Sequence, residues 1–250
     1  MRIVRVRYNF RNHWGVLKGK SIHFLEGAPY SHIKLSGRVV ARAKVTLLVP
    51  CEPRKIVLVG LNYRDHAREL DMPIPLEPVI FLKPPTAVAA HGQAIVYPQG
   101  VSRLDYEAEL ALVVKRKGKD IPRNKVRDYI LGYTCLNDVT ARDLQQKDGQ
   151  WTRAKSFDTF CPAGPWIETK ISPDNLKISS WLNGSLKQHS STSNFIFPLT
   201  YIVAFISHIM TLFPGDIIST GTPAGVGPMR RGDTIEIKIA GIGSLVNKIE

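Results

Sequence analysis

Asp105-Tyr106-Glu107-Ala108-Glu109-Leu110-Ala111-Leu112-Val113-Val114 sets three carboxylates at alternate positions and runs them straight into an apolar stretch. Side chains alternate across a strand, so Asp105, Glu107 and Glu109 share one face and Tyr106, Ala108 and Leu110 the other. The continuation LALVV is apolar on both faces, which predicts a strand covered on both sides. Carboxylates leading into such a strand must be paired, protonated or bound to a metal, because burying them alone is costly. A solvated strand face is the plainer alternative.

The flanking sequence is strand-rich. IVRVRY, WGVLKGKSIHFLEG with a turn at Gly19-Lys20, and VVARAKVTLLV read as short strands before Pro50-Cys51-Glu52-Pro53, where two close prolines resist both helix and central strand. That places a boundary between a small β-rich unit, residues 1–53, and a larger one, residues 54–250. Beyond it IVLVGLN, PVIFLKPP and a long YEAELALVVKR read as strands, and YRDHAREL as a short helix. The one long amphipathic helix is LTYIVAFISHIMTLF, where Leu199, Ile202, Val203, Ile206, Ile209, Met210 and Phe213 recur at helical spacing. After Pro214-Gly215 the chain alternates strand and glycine turn, as a curled sheet requires and a doubly wound one does not. The predicted class is mainly β (α+β), in mixed sheets.

Composition narrows the function. Thirty-four Lys plus Arg against 21 Asp plus Glu give a formal net charge of +13. The basic residues are scattered and no RNP, zinc-finger or helix-turn-helix pattern accompanies them, which argues against nucleic acid and for steering of a small anion. No GxGxxG after a strand and no P-loop is present, so nucleotide cofactors have no support. Cys51, Cys135 and Cys161 are odd in number and widely spaced, the pattern of buried reduced thiols. Neither a spanning apolar run nor a secretory h-region is visible, and the chain is read as cytoplasmic, with no membrane association.

Asp138, in YTCLNDVTARDLQ, is the third candidate ligand beside Glu107 and Glu109. An Asp ahead of a helical stretch commonly caps it. Here Thr140-Ala141-Arg142-Asp143 offers a capping box of its own, which leaves Asp138 free at a strand end. Three hard oxygen ligands without Cys favour Mg²⁺ or Mn²⁺ in an octahedral site completed by water and substrate. His66 and Glu69 lie three apart on one helical face, where a Glu-oriented His could activate water, although an exposed helix pair reads equally well.

GLNYRDHAREL, PVIFLKPPTAV, DYEAELALVV, LGYTCLNDVTARDLQ, RAKSFDTFCPAGPW, IMTLFPGDIISTGTPAGVG and GDTIEIKIAGIGSLVN, in this order, resemble the fumarylacetoacetate hydrolase superfamily. The resemblance implies a β-roll or mixed β-sandwich catalytic domain, commonly a homodimer. It implies a Mg²⁺ or Mn²⁺ site at Glu107, Glu109 and Asp138, and a His66/Glu69 pair on a mobile lid. It implies a Lys155 ammonium directed at the metal-bound substrate, and substrate contacts from Gln145, Thr222 and Arg142. Gly221, Gly225 and Gly227 have a purely structural reading as turn residues. As the resemblance suggests, a small 2-oxo acid would chelate the metal and pass through an enolate. Three outcomes branch from there: hydrolysis of an acylpyruvate, put first; decarboxylation of an oxaloacetate-like substrate; and isomerisation of 2-hydroxyhepta-2,4-diene-1,7-dioate in aromatic catabolism. The competing class is a basic protein that binds anions or nucleic acid on an inactive scaffold.

Overall fold

A computed structural model describes all 250 residues, and strands dominate it. Twelve strands form one mixed sheet whose central path runs through Arg2–Tyr8, Cys161–Glu168, Ile130–Asn137, Ala108–Val114, Ile217–Ser219, Ile56–Val59 and Ile80–Lys83. A four-stranded sheet (Lys177–Leu182, Ser185–Ser191, Thr234–Ile239, Gly243–Lys248) and a three-stranded one complete the fold. The N-terminal strands continue the large sheet, with Arg2 opposite Glu168, over a small core of their own that includes Val4, Val6, Ile22 and Phe24. The hairpin turn falls at Gly19-Lys20 as expected, Gly19 having φ +55°.

The 108–114 strand is buried throughout. Ala108, Leu110, Leu112 and Val114 join the largest core cluster, and Ala111 and Val113 join a second on the other face. Apolar residues on both faces of LALVV therefore report two covered faces. By the same alternation Glu109 lies on the side of Ala111 and Val113.

Three expectations are corrected. The strand read as YEAELALVVKR breaks at Glu107: Leu104–Tyr106 pairs with Thr140–Ala141 and Gly227–Met229 in the small sheet, and Ala108–Val114 starts afresh in the large one. At the break side chains replace the ladder, since Glu107 N–H donates to Asn137 Oδ1 (3.0 Å) and Ala108 N–H to Gln188 Oε1 (2.9 Å). VVARAKVTLLV is interrupted by a 3₁₀ turn at Arg42–Lys44. The amphipathic helix stops at Ile209 rather than reaching Phe213, because Leu212 exchanges both backbone hydrogen bonds with Gly118 (2.8 and 3.0 Å), which fixes an extended chain there. All three cysteines are buried and free. No helix is long and apolar enough to cross a membrane.

Candidate metal and active site

Glu107 and Glu109 flank Ala108 at the strand break, and Asp138 follows the neighbouring strand, where Ala108 lies opposite Asn137. The Asp138 N–H donates to the Glu107 carbonyl (2.9 Å), which fastens two of the three acids backbone to backbone. One carboxylate oxygen from each of Glu107, Glu109 and Asp138 lies within 4.8 Å of the other two, and all three residues are buried. The capping box is not formed. The helix Arg142–Asp148 starts without a side-chain cap; the Thr140 hydroxyl sits against Glu107 Oε1 (3.2 Å) and the Asp138 carbonyl (3.0 Å), and Asp143 accepts from Ser102. The local signal for a cap loses to tertiary contacts with the acids.

Cations surround the acids. Lys155 Nζ lies 2.6 Å from Asp138 Oδ2 and 3.1 Å from Glu107 Oε2, and Arg142 Nη2 lies 2.5 Å from Glu107 Oε1. Arg142 also donates to Asp105 Oδ2 (2.9 Å) and Gln145 Oε1 (2.6 Å). Its named partners are thus all protein acceptors, and its clearest work in this structure is to orient Glu107, Asp105 and Gln145. Burial alone would raise the Glu107 carboxyl, but the Lys155 and Arg142 charges more than offset that and hold it well below the ordinary carboxylate range. Burial pushes Glu109 well above that range, and the neighbouring Asp138 and Glu107 charges push it further. Burial also disfavours the Lys155 ammonium, yet Asp138 and Glu107 keep its pKa above the usual lysine value.

The donor set fits a hard divalent cation. It comprises three buried carboxylates within ligand distance of one another, and the Glu109 carboxyl, pushed up first by burial and then by its two acidic neighbours, is in a position whose repulsion a cation would relieve. A consequence is testable. Glu109 must lose its proton to become a ligand, so cation binding is expected to release a proton and to strengthen as pH rises toward the elevated Glu109 pKa. Titration calorimetry in two buffers of different ionisation enthalpy measures that proton. Equal heats in both buffers would contradict it.

A cavity of about 330 Å³ opens onto the acids and is lined by Glu107, Asp138, Arg142, Gln145, Lys155 and Thr222, and also by His66. The expected residues therefore converge, except that Glu109 and Glu69 do not line the cavity. Glu109 is held from outside it by Ser219 Oγ and by the Gly221 N–H (3.0 Å). His66 and Glu69 share the helix Arg64–Glu69, with Nδ1 2.9 Å from Glu69 Oε2. An ionised carboxylate only accepts, so this contact favours the tautomer with the proton on Nδ1 and a lone pair on Nε2. Glu69 Oε1 in turn accepts from the Gly225 N–H (2.9 Å). Gly225 has φ +94°, and a Cβ there would stand 2.4 Å from the Lys187 carbonyl, so only glycine presents that N–H.

Two residues of the site were not singled out from the sequence. Gln188 accepts from Ala108 N–H and donates to Thr222 Oγ1 and the Pro223 carbonyl, both at 2.8 Å, so it ties the strand break to the TGTPAG loop. Its immediate neighbours Lys187 and His189 are exposed, and nothing in sequence marks it. Lys83 lies against Asp138 Oδ1 (2.5 Å) with its side chain fully buried. A lysine inside apolar PVIFLKPP was the available signal.

The chain is similar to known proteins over its whole length. Residues 55–250 match the family model described as fumarylacetoacetate (FAA) hydrolase C-terminal, and residues 1–50 match one described as Rv2993c-like, N-terminal. The mitochondrial oxaloacetate tautomerase Fahd2a of Rattus norvegicus is 40% identical over 223 residues, 84% of this chain and 71% of that protein. The structure of 2-hydroxyhepta-2,4-diene-1,7-dioate isomerase from Mycobacterium marinum superposes with a TM-score of 0.94 at 43% identity, covering 100% of this chain and 98% of that one. Maleylpyruvate hydrolase from Sphingobium sp. SYK-6, solved with manganese(II) and pyruvate, gives a TM-score of 0.83 at 29% identity, again over 100% and 98%.

Proposed function

The chain belongs to the fumarylacetoacetate hydrolase family, and from that premise we propose that it is a divalent-metal-dependent enzyme that moves a proton between a small 2-oxo acid and its enol. The observation that carries this reading is that His66, hydrogen-bonded to Glu69, and one ammonium, Lys155, face the same small cavity as Glu107 and Asp138. Proton transfer stands ahead of hydrolysis because the tautomerase and isomerase relatives are 40% and 43% identical, whereas similar structures of hydrolases are 33% and 29% identical.

Mg²⁺ or Mn²⁺, held by Glu107, Glu109 and Asp138, would supply a Lewis acid for the substrate's carboxylate and 2-oxo oxygens. Thr222 Oγ1 already accepts from Gln188, so its own hydrogen is free to donate to an anionic oxygen in the cavity. Gln145 has its carbonyl engaged by Arg142, which leaves its amide N–H groups for substrate. Lys155, held over the Phe81 ring at 5.0 Å, stabilises negative charge as it develops on oxygen. His66 Nε2 takes the proton from carbon and returns it at the new position, with Glu69 fixing the tautomer.

Carbon–carbon hydrolysis is the second reading, favoured by the His66–Glu69 contact, since the same base can deliver water to a 4-oxo carbon. The two separate in one assay series. Oxaloacetate, 2-hydroxyhepta-2,4-diene-1,7-dioate and acetylpyruvate are followed by ultraviolet absorbance with Mg²⁺ or Mn²⁺, and pyruvate is assayed independently. Enol absorbance that changes without pyruvate release is expected. Pyruvate with a carboxylic acid would establish hydrolysis, pyruvate with carbon dioxide decarboxylation, and no turnover would return the anion-binding alternative to first place.

We also propose that the chain acts as a homodimer, with Ile80–Lys83 as the contact. This strand ends the large sheet, and Leu82 on it and Val79 just before it expose apolar side chains. An unprotected apolar edge is a ready site for pairing with another chain. Light scattering on the native protein is expected to give twice the chain mass, and Leu82→Lys to return it to one chain mass with an unchanged circular dichroism spectrum.

A further inference from the structure

Lys83 takes no part in the chemistry above, yet its side chain is 0% exposed. Lysine is almost never fully buried unless paired. Its ammonium donates to the Val139 carbonyl (2.9 Å) and to the Phe160 carbonyl. Asp138 Oδ1 is 2.5 Å away, but at an angle that gives no hydrogen bond, so that contact is charge against charge. The backbone around Asp138 has anchors of its own: Asp138 N–H to the Glu107 carbonyl (2.9 Å) and Val139 N–H to the Phe160 carbonyl (3.1 Å). Orientation is thus supplied twice over, and what Lys83 adds is charge. Lys155, the other ammonium on Asp138, lines the substrate cavity, whereas Lys83 does not.

We propose that Lys83 is a positioning residue of one particular kind: a permanent counter-charge to Asp138 that limits how tightly the three carboxylates hold a divalent cation and stabilises the site when the cation is gone. The inference rests on the metal reading given above. Magnitudes fix its sign. Losing an orienting contact to a metal ligand weakens binding about 10- to 100-fold. Repulsion between two unit charges about 4 Å apart, at an effective dielectric near 20, is worth about a thousandfold, and a dication carries two charges. Removing the lysine charge should therefore tighten cation binding.

The test is Mn²⁺ titration of chelator-stripped protein by calorimetry, with melting temperatures measured with and without Mn²⁺. Lys83→Gln removes the charge and keeps an amide donor for the carbonyls; Lys83→Arg keeps the charge. The glutamine variant is expected to bind Mn²⁺ at least about tenfold more tightly, to melt lower than wild type when stripped, and to gain more from Mn²⁺. The arginine variant should stay within about threefold of wild type. Equal or weaker binding by the glutamine variant overturns the proposal. If that variant unfolds when stripped, saturating Mn²⁺ should refold it, and a chain that stays unfolded also overturns the proposal, since Lys83 would then be scaffold. A wild type that binds no Mn²⁺ defeats the metal reading itself, a result distinct from failure of the Lys83 effect alone.

Discussion

Glu107→Gln is expected to weaken Mn²⁺ binding by more than about a hundredfold and to remove turnover with it, because residues that merely orient ligands already cost about 10- to 100-fold when lost. The substitution keeps volume and removes charge. Its second effect is on stability. Glu107 is buried between Arg142 Nη2 at 2.5 Å and Lys155 Nζ at 3.1 Å, so both cations lose a partner. Breaking a buried pair costs about 3–5 kcal/mol. Arg142 keeps Asp105 and Lys155 keeps Asp138, which puts the expected loss at the lower end, about 3 kcal/mol. Calorimetric titration and chemical denaturation read the two effects separately. Unchanged Mn²⁺ affinity would remove Glu107 from the ligand set.

His66→Ala should behave differently. Positioned general acid–base groups contribute about 10²- to 10⁴-fold, so kcat is expected to fall by that factor while KM changes little. His66 sits on a helix of six residues, and only Ala67 of that helix is buried. The His66 side chain is itself only 14% exposed, so its loss thins the cavity wall without touching the core; Mn²⁺ affinity should stay near wild type and the melting temperature should fall only slightly. A kcat within about threefold of wild type would leave His66 as part of the cavity wall with no role as base, since a base of this kind is worth at least about 10².

The ligand triad was readable because two of its members are local. Glu107 and Glu109 stand two apart in sequence, and strand alternation read them onto one face; the strand breaks at Glu107, but the two carboxylates still meet across the break. Asp138 was readable only as an acid at a strand end; the register that brings it to Glu107 depends on the Ala108–Asn137 pairing. LALVV announced a doubly covered strand, and both faces are covered. What stayed hidden was long-range. The ladder fails at Glu107 because the Asn137 and Gln188 side chains take the N–H groups of Glu107 and Ala108. The capping box fails because Thr140 turns to Glu107 and Asp138. Lys83 looked like a strand residue and proved to be a buried ion-pair partner 55 positions from Asp138 in sequence. Helical periodicity likewise overran Ile209, since the pairing of Leu212 with Gly118 leaves no trace in the local pattern.

On the function proposed here, a divalent cation on Glu107, Glu109 and Asp138 is required for turnover of a 2-oxo acid. The most direct measurement adds Mn²⁺ stepwise to chelator-stripped protein while enol absorbance of oxaloacetate is followed and bound Mn²⁺ is counted by electron paramagnetic resonance. Activity that rises from zero in proportion to occupancy and levels off at one Mn²⁺ per chain is the predicted result. Full turnover by the stripped protein, or Mn²⁺ bound without any effect on the rate, would contradict it.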